Sequence, residues 1–342
     1  MNRCLLLLLL AGLAAAALAG CGERSEPTSG PRAERLRLML DYLPNADHAG
    51  IFAAKARGDF RRAGLDVDLE TPPDPAAPLK LLAAGRVDLA ISYEPELLLA
   101  RDAGEPLVAV AALVQEPLTS IMSVGAHGVR TPAQLRGKTV GTAGIPYQSS
   151  YLKAVLAHAR VDRGSVREVD VGFNLVPAML SGKVDATLGA FWNYEGIQLR
   201  LRHKAPHVIR IERAGVPTYD ELVIVARAAD LRDRGARVRR FLRALGQGHV
   251  ALRRDPQAGV RPLVAANPDL DPKLQLESVR ATLPAFFPPA GKPFGWMDEA
   301  AWARYGRWMY ANGLLERPPA IARALTEEFL PGEGAVADES TP

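Results

Sequence analysis

The chain has 342 residues, 48% of them hydrophobic, with 42 Lys and Arg against 38 Asp and Glu, a net charge of +4 and a pI of about 9.1. So small an excess, with both signs interspersed, excludes a phosphate-tracking surface and with it nucleic acid as a partner; the basic run 232–240 reads as a solvated helix face. Of the two cysteines, Cys4 lies in a segment expected to be removed, so no disulfide, zinc–thiolate site or cysteine nucleophile is available to the mature chain.

Residues 1–20 read as a signal peptide. Met1-Asn2-Arg3 gives a short positive start, and the apolar run 5–19 is too short and too rich in small residues for a membrane span. It closes on Leu18-Ala19-Gly20-Cys21, which is similar to the lipobox of bacterial lipoproteins, where the cysteine becomes the acylated N-terminus. Each buried methylene is worth about 0.8 kcal/mol, so two or more acyl chains on Cys21 would hold the chain at a membrane surface. Residues 21–34 follow as a lipidated polar tether, and residues 331–342 form a flexible acidic tail. The body between them is long enough for two cored domains.

That body opens with a strand over 36–40, stopped by the Pro44-Asn45 turn, and a helix over 50–60 with Ile51, Phe52, Ala54 and Lys55 at helical spacing. Residues 65–69 alternate as a second strand, 79–84 are helical up to Gly85, and 87–91 form a short apolar strand. This rhythm predicts an α/β fold with a mostly parallel sheet covered by helices. The stretch 82–89 is closely matched by 179–186: a helix ends at Gly85 or Gly182, a basic residue follows, and Val-Asp enters a buried strand. Two copies in one chain favour two similar lobes. A helical turn over 131–136 and a strand over 139–142 open the second lobe, followed by a helix over 151–159. From Leu231 onward the spacing is helical over 238–253, 273–282, 299–312 and 320–329, and these helices are expected to pack back on the first lobe. The expected division is 35–122 with 223–330 as a discontinuous lobe 1, and 123–222 as lobe 2.

Three loops gather residues suited to a ligand. Asp41 to Gly50 follows the first strand, and in open α/β sheets ligands sit at the C-terminal ends of strands, which places Tyr42, Asn45 and His48. Gly189-Ala190-Phe191-Trp192-Asn193-Tyr194-Glu195 follows the strand 186–188; Trp192 and Tyr194 offer flat faces and Glu195 a carboxylate, while Phe191 reads as core. Gly144 to Ser150 carries Tyr147 and precedes a helix for which Ser149 or Ser150 is a natural N-cap. Ser150-Tyr151-Leu152-Lys153 matches S-x-x-K, but its companion motifs are absent. No nucleophile elbow, dinucleotide fingerprint, P-loop or H-E-x-x-H occurs, and Pro206 interrupts the His203/His207 pair, so no metal or cofactor is expected.

The stretch Asp41 to Gly50, with Gly58-Asp59-Phe60 and Ala63-Gly64-Leu65, resembles the solute-binding proteins of the sulfonate/thiamine-pyrimidine family. The segments Phe173-Asn174-Leu175, Gly189 to Gly196 and Gly215 to Leu222 look more specifically like the bacterial binding components for thiamine pyrimidine precursors. The resemblance implies a type II periplasmic-binding-protein fold, two α/β lobes with the ligand cleft between them. It also implies a monomeric binding component of an ABC importer at the outer or periplasmic face of a membrane, handing ligand to an ABC permease. Tyr42 and Trp192 would then stack on a flat ring, Tyr194 or Tyr219 would line the cleft, Glu195 would accept from an amino-pyrimidine edge, and Asn45 and His48 would read the remaining polar groups. Sulfonate or nitrate would require Arg or Lys in these loops, and there is none. A flavin or another flat heteroaromatic is the alternative ligand. The resemblance extends to the fungal thiamine pyrimidine synthase, whose Schiff-base lysine and donor histidine fall on Ser92 and Glu96 here. Neither residue supports that chemistry, so no enzyme is expected.

Overall fold

The computed structural model describes residues 33–126 and 128–332. The expected signal peptide, Cys21 and the expected tether up to residue 32 fall outside the described residues, as do residues 333–342 of the expected tail. Among the described residues ten strands form two five-stranded sheets. The first joins β1 (Glu34–Met39), β2 (Leu65–Glu70), β3 (Leu89–Ser92), β4 (Leu107–Val114) and β10 (Leu222–Arg227) in the order β2-β1-β3-β10-β4. The second joins β5 (Thr119–Val124), β6 (Thr139–Thr142), β7 (Arg167–Asp170), β8 (Ala186–Phe191) and β9 (Pro206–Arg210) in the order β7-β6-β8-β5-β9.

The two sheets are topological copies. In each, one strand in the fourth position runs antiparallel to both neighbours: β10 in the first sheet and β5 in the second. Each of these strands arrives from the other lobe, so the chain crosses between lobes twice. Composition explains the layering. β4, Leu-Val-Ala-Val-Ala-Ala-Leu-Val, lies at one edge yet is buried along its whole length, because residues 324–326 and Gly295 bond to it, whereas β2 at the other edge alternates, with Leu65 and Val67 buried and Asp66 exposed.

The first crossing lies between β4 and β5, at residues 115–118. The boundary drawn at 122/123 therefore needs correction: it cuts β5, all of which belongs to the second sheet. The second crossing ends at Glu221, immediately before β10. Glu221 Oε2 accepts the Leu118 and Thr119 N–H groups at 2.6 and 2.8 Å, and the Tyr219 hydroxyl at 3.1 Å. Its Oε1 accepts the Thr119 hydroxyl at 2.9 Å. One buried carboxyl thus stitches the two crossings together, and burial raises it to about 7.

The helix–glycine–strand units stand as the spacing predicts. α1 (Ala49–Ala56), α2 (Asp59–Arg62) and α3 (Pro78–Ala83) belong to the first lobe, with α4 (Glu94–Asp102) after β3. Gly85 follows α3 at φ +71°. In the second lobe α5 (Pro146–His158) precedes β7, and α6 (Leu175–Leu180) ends before Gly182 at φ +73°. α5 begins earlier than expected because Pro146 fits its first turn, so Ser149 and Ser150 lie inside the helix and cap nothing; Ser149 Oγ bonds Glu168 instead. α7 (Glu195–Leu201) follows β8.

The C-terminal third is helical: α8 (Ala228–Arg254), α9 (Gln257–Ala266), α10 (Pro272–Thr282) and α11 (Glu299–Ala311). α9, with Pro262 inside it, was not anticipated, and the expected helix at 320–329 is reduced to a single 3-10 turn at Ile321–Arg323. α8 packs on the first lobe through α1. A Cβ on Gly248 would lie 2.3 Å from the Gly50 carbonyl, so only glycine permits that approach. The last helices also reach lobe 2: Gln275 of α10 bonds Tyr194, and Tyr305 of α11 bonds Tyr151.

Candidate ligand cleft

The C-terminal ends of β1, β3, β6 and β8 converge on a cleft of about 240 Å³ between the sheets. Lobe 1 contributes residues 41–45 after β1 and Tyr93 after β3. Lobe 2 contributes Tyr147 and Gln148 of α5, Phe173 after β7, Leu175 to Pro177 of α6, Phe191 at the end of β8, and Tyr194, Glu195 and Gln198 around α7. Leu270 closes one side. The lining is apolar and aromatic with a few polar groups, and it contains two carboxyls but no Lys, Arg or His.

Tyr42 meets Phe173 edge-on across the cleft, with ring centroids 4.7 Å apart at 81°. Burial and the nearby carboxyls of Glu195 and Asp41 push the Tyr42 phenol upward, so it stays protonated. Glu195 stands at the first position of α7, where its Oε2 accepts the Phe191 N–H at 2.7 Å. Burial raises this carboxyl to about 7 against the opposing pull of that bond. Tyr194 accepts at its hydroxyl from Gln275 Nε2 at 3.0 Å. Tyr147 is fully buried beside Tyr93 and Tyr151, and its hydroxyl has no partner among the described residues. A buried polar atom left unpaired at a cleft wall is suited to a ligand's polar group. Gln148 lies against Gly189, where a Cβ would come within 2.3 Å of its Nε2; the glycine, at φ +111°, makes room for the amide at the cleft floor.

Of the residues selected from sequence, Tyr42, Asn45, Tyr147, Tyr194 and Glu195 line the cleft together. Asn45 does so while caught in its own turn: its Oδ1 accepts the Asp47 N–H at 2.8 Å and its Nδ2 donates to Leu43 at 3.0 Å. His48, Trp192 and Tyr219 do not line it. His48 is fully buried beneath the loop, accepting the Asn45 N–H at Nδ1, so its Nε2 carries the proton and donates to Asp41 Oδ1 at 2.8 Å. The expected pairing of Tyr42 with Trp192 needs correction. Trp192 faces the first crossing, where its Nε1 donates to Pro117 O at 3.0 Å and the Arg210 guanidinium covers its ring at 3.9 Å. Tyr219 is buried behind the cleft in an aromatic cluster with Tyr151 and Tyr305, its hydroxyl spent on Glu221.

Sequence reasoning missed Asp41, Tyr93, Gln148 and Phe191, the last assigned to the core. Asp41 opens the very loop that was singled out, and Tyr93 directly follows β3, so the strand-end rule applied to every parallel strand would have found it. A further group joins the lobes just outside the cleft. Asn193 Nδ2 donates to Asp47 Oδ1 at 2.8 Å and to Thr282 Oγ1 at 2.6 Å, all three residues being buried. Burial raises the Asp47 carboxyl to about 6. Ser92 ends β3 and Glu96 lies in the first turn of α4; the Ser92 hydroxyl donates to Glu96 Oε2 at 3.1 Å, and burial raises Glu96 to about 7.

Two α/β lobes, two crossings and a cleft at the strand ends define the type II periplasmic-binding-protein fold. The alkanesulfonate-binding protein of Xanthomonas axonopodis pv. citri, solved with MOPS bound, shares that fold with a TM-score of 0.66 at 21% identity, covering 87% of this chain and 99% of its own. Among curated proteins, the formylaminopyrimidine-binding protein of Halalkalibacterium halodurans is 35% identical over 291 residues, 83% of this chain and 87% of the relative. A 4-amino-5-hydroxymethyl-2-methylpyrimidine phosphate synthase of Saccharomyces cerevisiae is 22% identical over 312 residues, 87% of this chain and 88% of the relative. The model of the NMT1/THI5-like family matches residues 45–259, and the chain belongs to that family.

Proposed function

We propose that this protein is the extracytoplasmic binding component of an ABC importer and captures a thiamine pyrimidine precursor of the hydroxymethyl- or formylamino-pyrimidine type. Residues 1–20 export the chain and Cys21 carries its lipid anchor. Ligand enters between the lobes, the lobes close on it, and the closed form is recognised by the permease. The observation that carries this reading is the pairing of aromatic walls with Glu195 in a small cleft without a cation. Tyr42, Phe191 and Tyr194 present ring surface from both lobes, and Glu195 accepts from the amino edge of the heterocycle. A charge-assisted hydrogen bond contributes about 1.5–3 kcal/mol net, enough to make Glu195 the main selector among flat rings.

A sulfonate would bring its negative charge beside two carboxyls with no compensating cation in the lining, which disfavours the ligand class of the Xanthomonas protein. The cleft suits one ring better than the three fused rings of a flavin. Synthase chemistry of the lysine–histidine type lacks its groups here, since Ser92 and Glu96 hold those positions and bond each other. Thermal-shift measurements with pyrimidines, flavins and alkanesulfonates test the reading. Stabilisation by 4-amino-5-hydroxymethyl-2-methylpyrimidine or its formylamino relative, lost in Glu195→Gln, is expected. Stabilisation by sulfonates alone would overturn it.

A further inference from the structure

A second cavity, of about 230 Å³, lies at the crossings and shares no lining residue with the cleft. Gln115 of the first crossing and residues 218–220 of the second contribute to it, as do Glu94 of α4 and residues at the start of α11. Glu94 is fully buried. Its Oε2 accepts the Asp220 N–H at 2.8 Å, but its Oε1 has no partner among the described residues. Asp220 Oδ2 accepts from Trp302 Nε1 at 2.7 Å, and Asp298, which caps α11, stands in the same lining with Trp296. Two cations are near. Arg304 meets only Asp298, at 3.9 Å, and Lys292 Nζ lies 4.8 Å from the Trp296 ring centre; neither is paired with Glu94 or Asp220. Burial and the Asp220 carboxyl push Glu94 well above the ordinary carboxylate range, and burial raises Asp220 to about 7. Two buried carboxyls this close retain a proton unless a cation takes its place.

We propose that this cavity is a second binding site, for a small primary ammonium whose N–H groups meet Glu94 Oε1 and Asp220 while its alkyl part lies against the indoles of Trp296 and Trp302. The orphaned, fully buried Glu94 oxygen supplies the acceptor, and the indole faces suit both the charge and the carbon chain. The ammonium displaces the proton of the Glu94–Asp220 pair, so its affinity rises with pH. The other titratable groups around that pair are Asp298, Arg304 and Tyr305, with Lys292 beyond Trp296. An occupant touches both crossings, the segments about which the lobes close. The site stands apart from the pyrimidine reading.

The test compares butylammonium with its neutral isostere 1-butanol by titration calorimetry. At pH 8 the wild-type protein is expected to bind butylammonium tighter by about 10- to 100-fold, the equivalent of one hydrogen bond to a charged group, and to lose part of that advantage at pH 6. Glu94→Gln keeps an acceptor for the Asp220 N–H but removes the charge, and should erase most of the ratio together with its pH dependence. Asp298→Asn keeps the cap of α11 and should reduce the ratio in part, which gives a second reading should the Glu94 variant fold poorly. Equal affinity for the two probes in the wild type, no binding of butylammonium, or an unchanged ratio in folded Glu94→Gln would overturn the site. A ratio lost in Glu195→Gln would place the cation in the cleft and overturn it too. None of these results decides which ring the cleft takes.

Discussion

The two lobes carry the same helix–glycine–strand unit, and the aspartate that ends it is placed alike in both. Asp88 Oδ2 accepts the Arg37 N–H at 2.8 Å, and Asp185 Oδ2 accepts the Thr139 N–H at 2.7 Å, each tying the turn to the neighbouring parallel strand. Their other partners differ. Asp88 also meets the Arg237 guanidinium of α8 at 3.2 Å, whereas Asp185 has only Lys138 at 3.7 Å and a side chain 44% exposed. Burial pushes the Asp88 carboxyl up, but the Arg37 N–H and Arg237 outweigh it and hold the group below its ordinary value. The C-terminal helices thus reinforce one copy of a repeated unit and leave the other to itself.

The largest effect on this arrangement should come from the crossings shared by both lobes. Glu221→Ala strips acceptors from two buried backbone N–H groups, each costing about 1–3 kcal/mol when orphaned, so a loss of several kcal/mol in chemical denaturation is expected. A loss no larger than that of a surface substitution would remove Glu221 as the link between the crossings. Next comes the direct contrast between copies. Asp88→Ala should cost about 2 kcal/mol and Asp185→Ala less than about 1 kcal/mol, as for a buried bonded charge against an exposed one. Equal costs would erase the asymmetry.

Asn193→Ala removes the buried bond between Asp47 of lobe 1 and the loop before α7, worth about 1 kcal/mol. Small-angle scattering of the ligand-free variant should show a larger radius of gyration than the wild type, with little change in melting temperature. The pH dependence tests the buried carboxyls. Glu221, Glu96 and Asp220 are each raised to about 7 by burial, and Asp47 to about 6. Between about pH 4 and 7 the folded chain holds protons that the unfolded chain has released, so stability is greatest at the acid end and declines as pH rises through this window. A melting temperature some degrees higher at pH 5 than at pH 8 is expected; the reverse order would contradict the burial of these carboxyls.

Much of this was legible in the residues because local signals and topology agreed. Gly85-Arg86-Val87-Asp88 and its copy at 182–185 announced the duplicated lobes, and the strand-end rule placed Tyr42, Tyr194 and Glu195 around one cleft. Trp192 was misplaced for a physical reason: β8 runs on through Phe191, three residues beyond its apparent end. Taking 189–195 as the loop beyond the strand put Trp192 among the ligand residues, whereas the pleat puts Phe191 at the cleft and turns Trp192 to the crossing. His48 and Tyr219 failed differently. Sequence shows which side chains are suited to a ligand, but not which of them are already spent on a neighbour such as Asp41 or Glu221. The first crossing was drawn too late because an apolar run such as β4 and an apolar strand such as β5 give no local sign that the sheet has changed.

A crystal structure of the protein with 4-amino-5-hydroxymethyl-2-methylpyrimidine tests the binding geometry most directly. The ring should lie between the lobes against Tyr42, with its amino edge about 3 Å from the Glu195 carboxyl, a hydrogen-bonding distance. A pyrimidine found stacked on Trp192 outside the cleft, or a cleft left empty at saturating ligand, would contradict it.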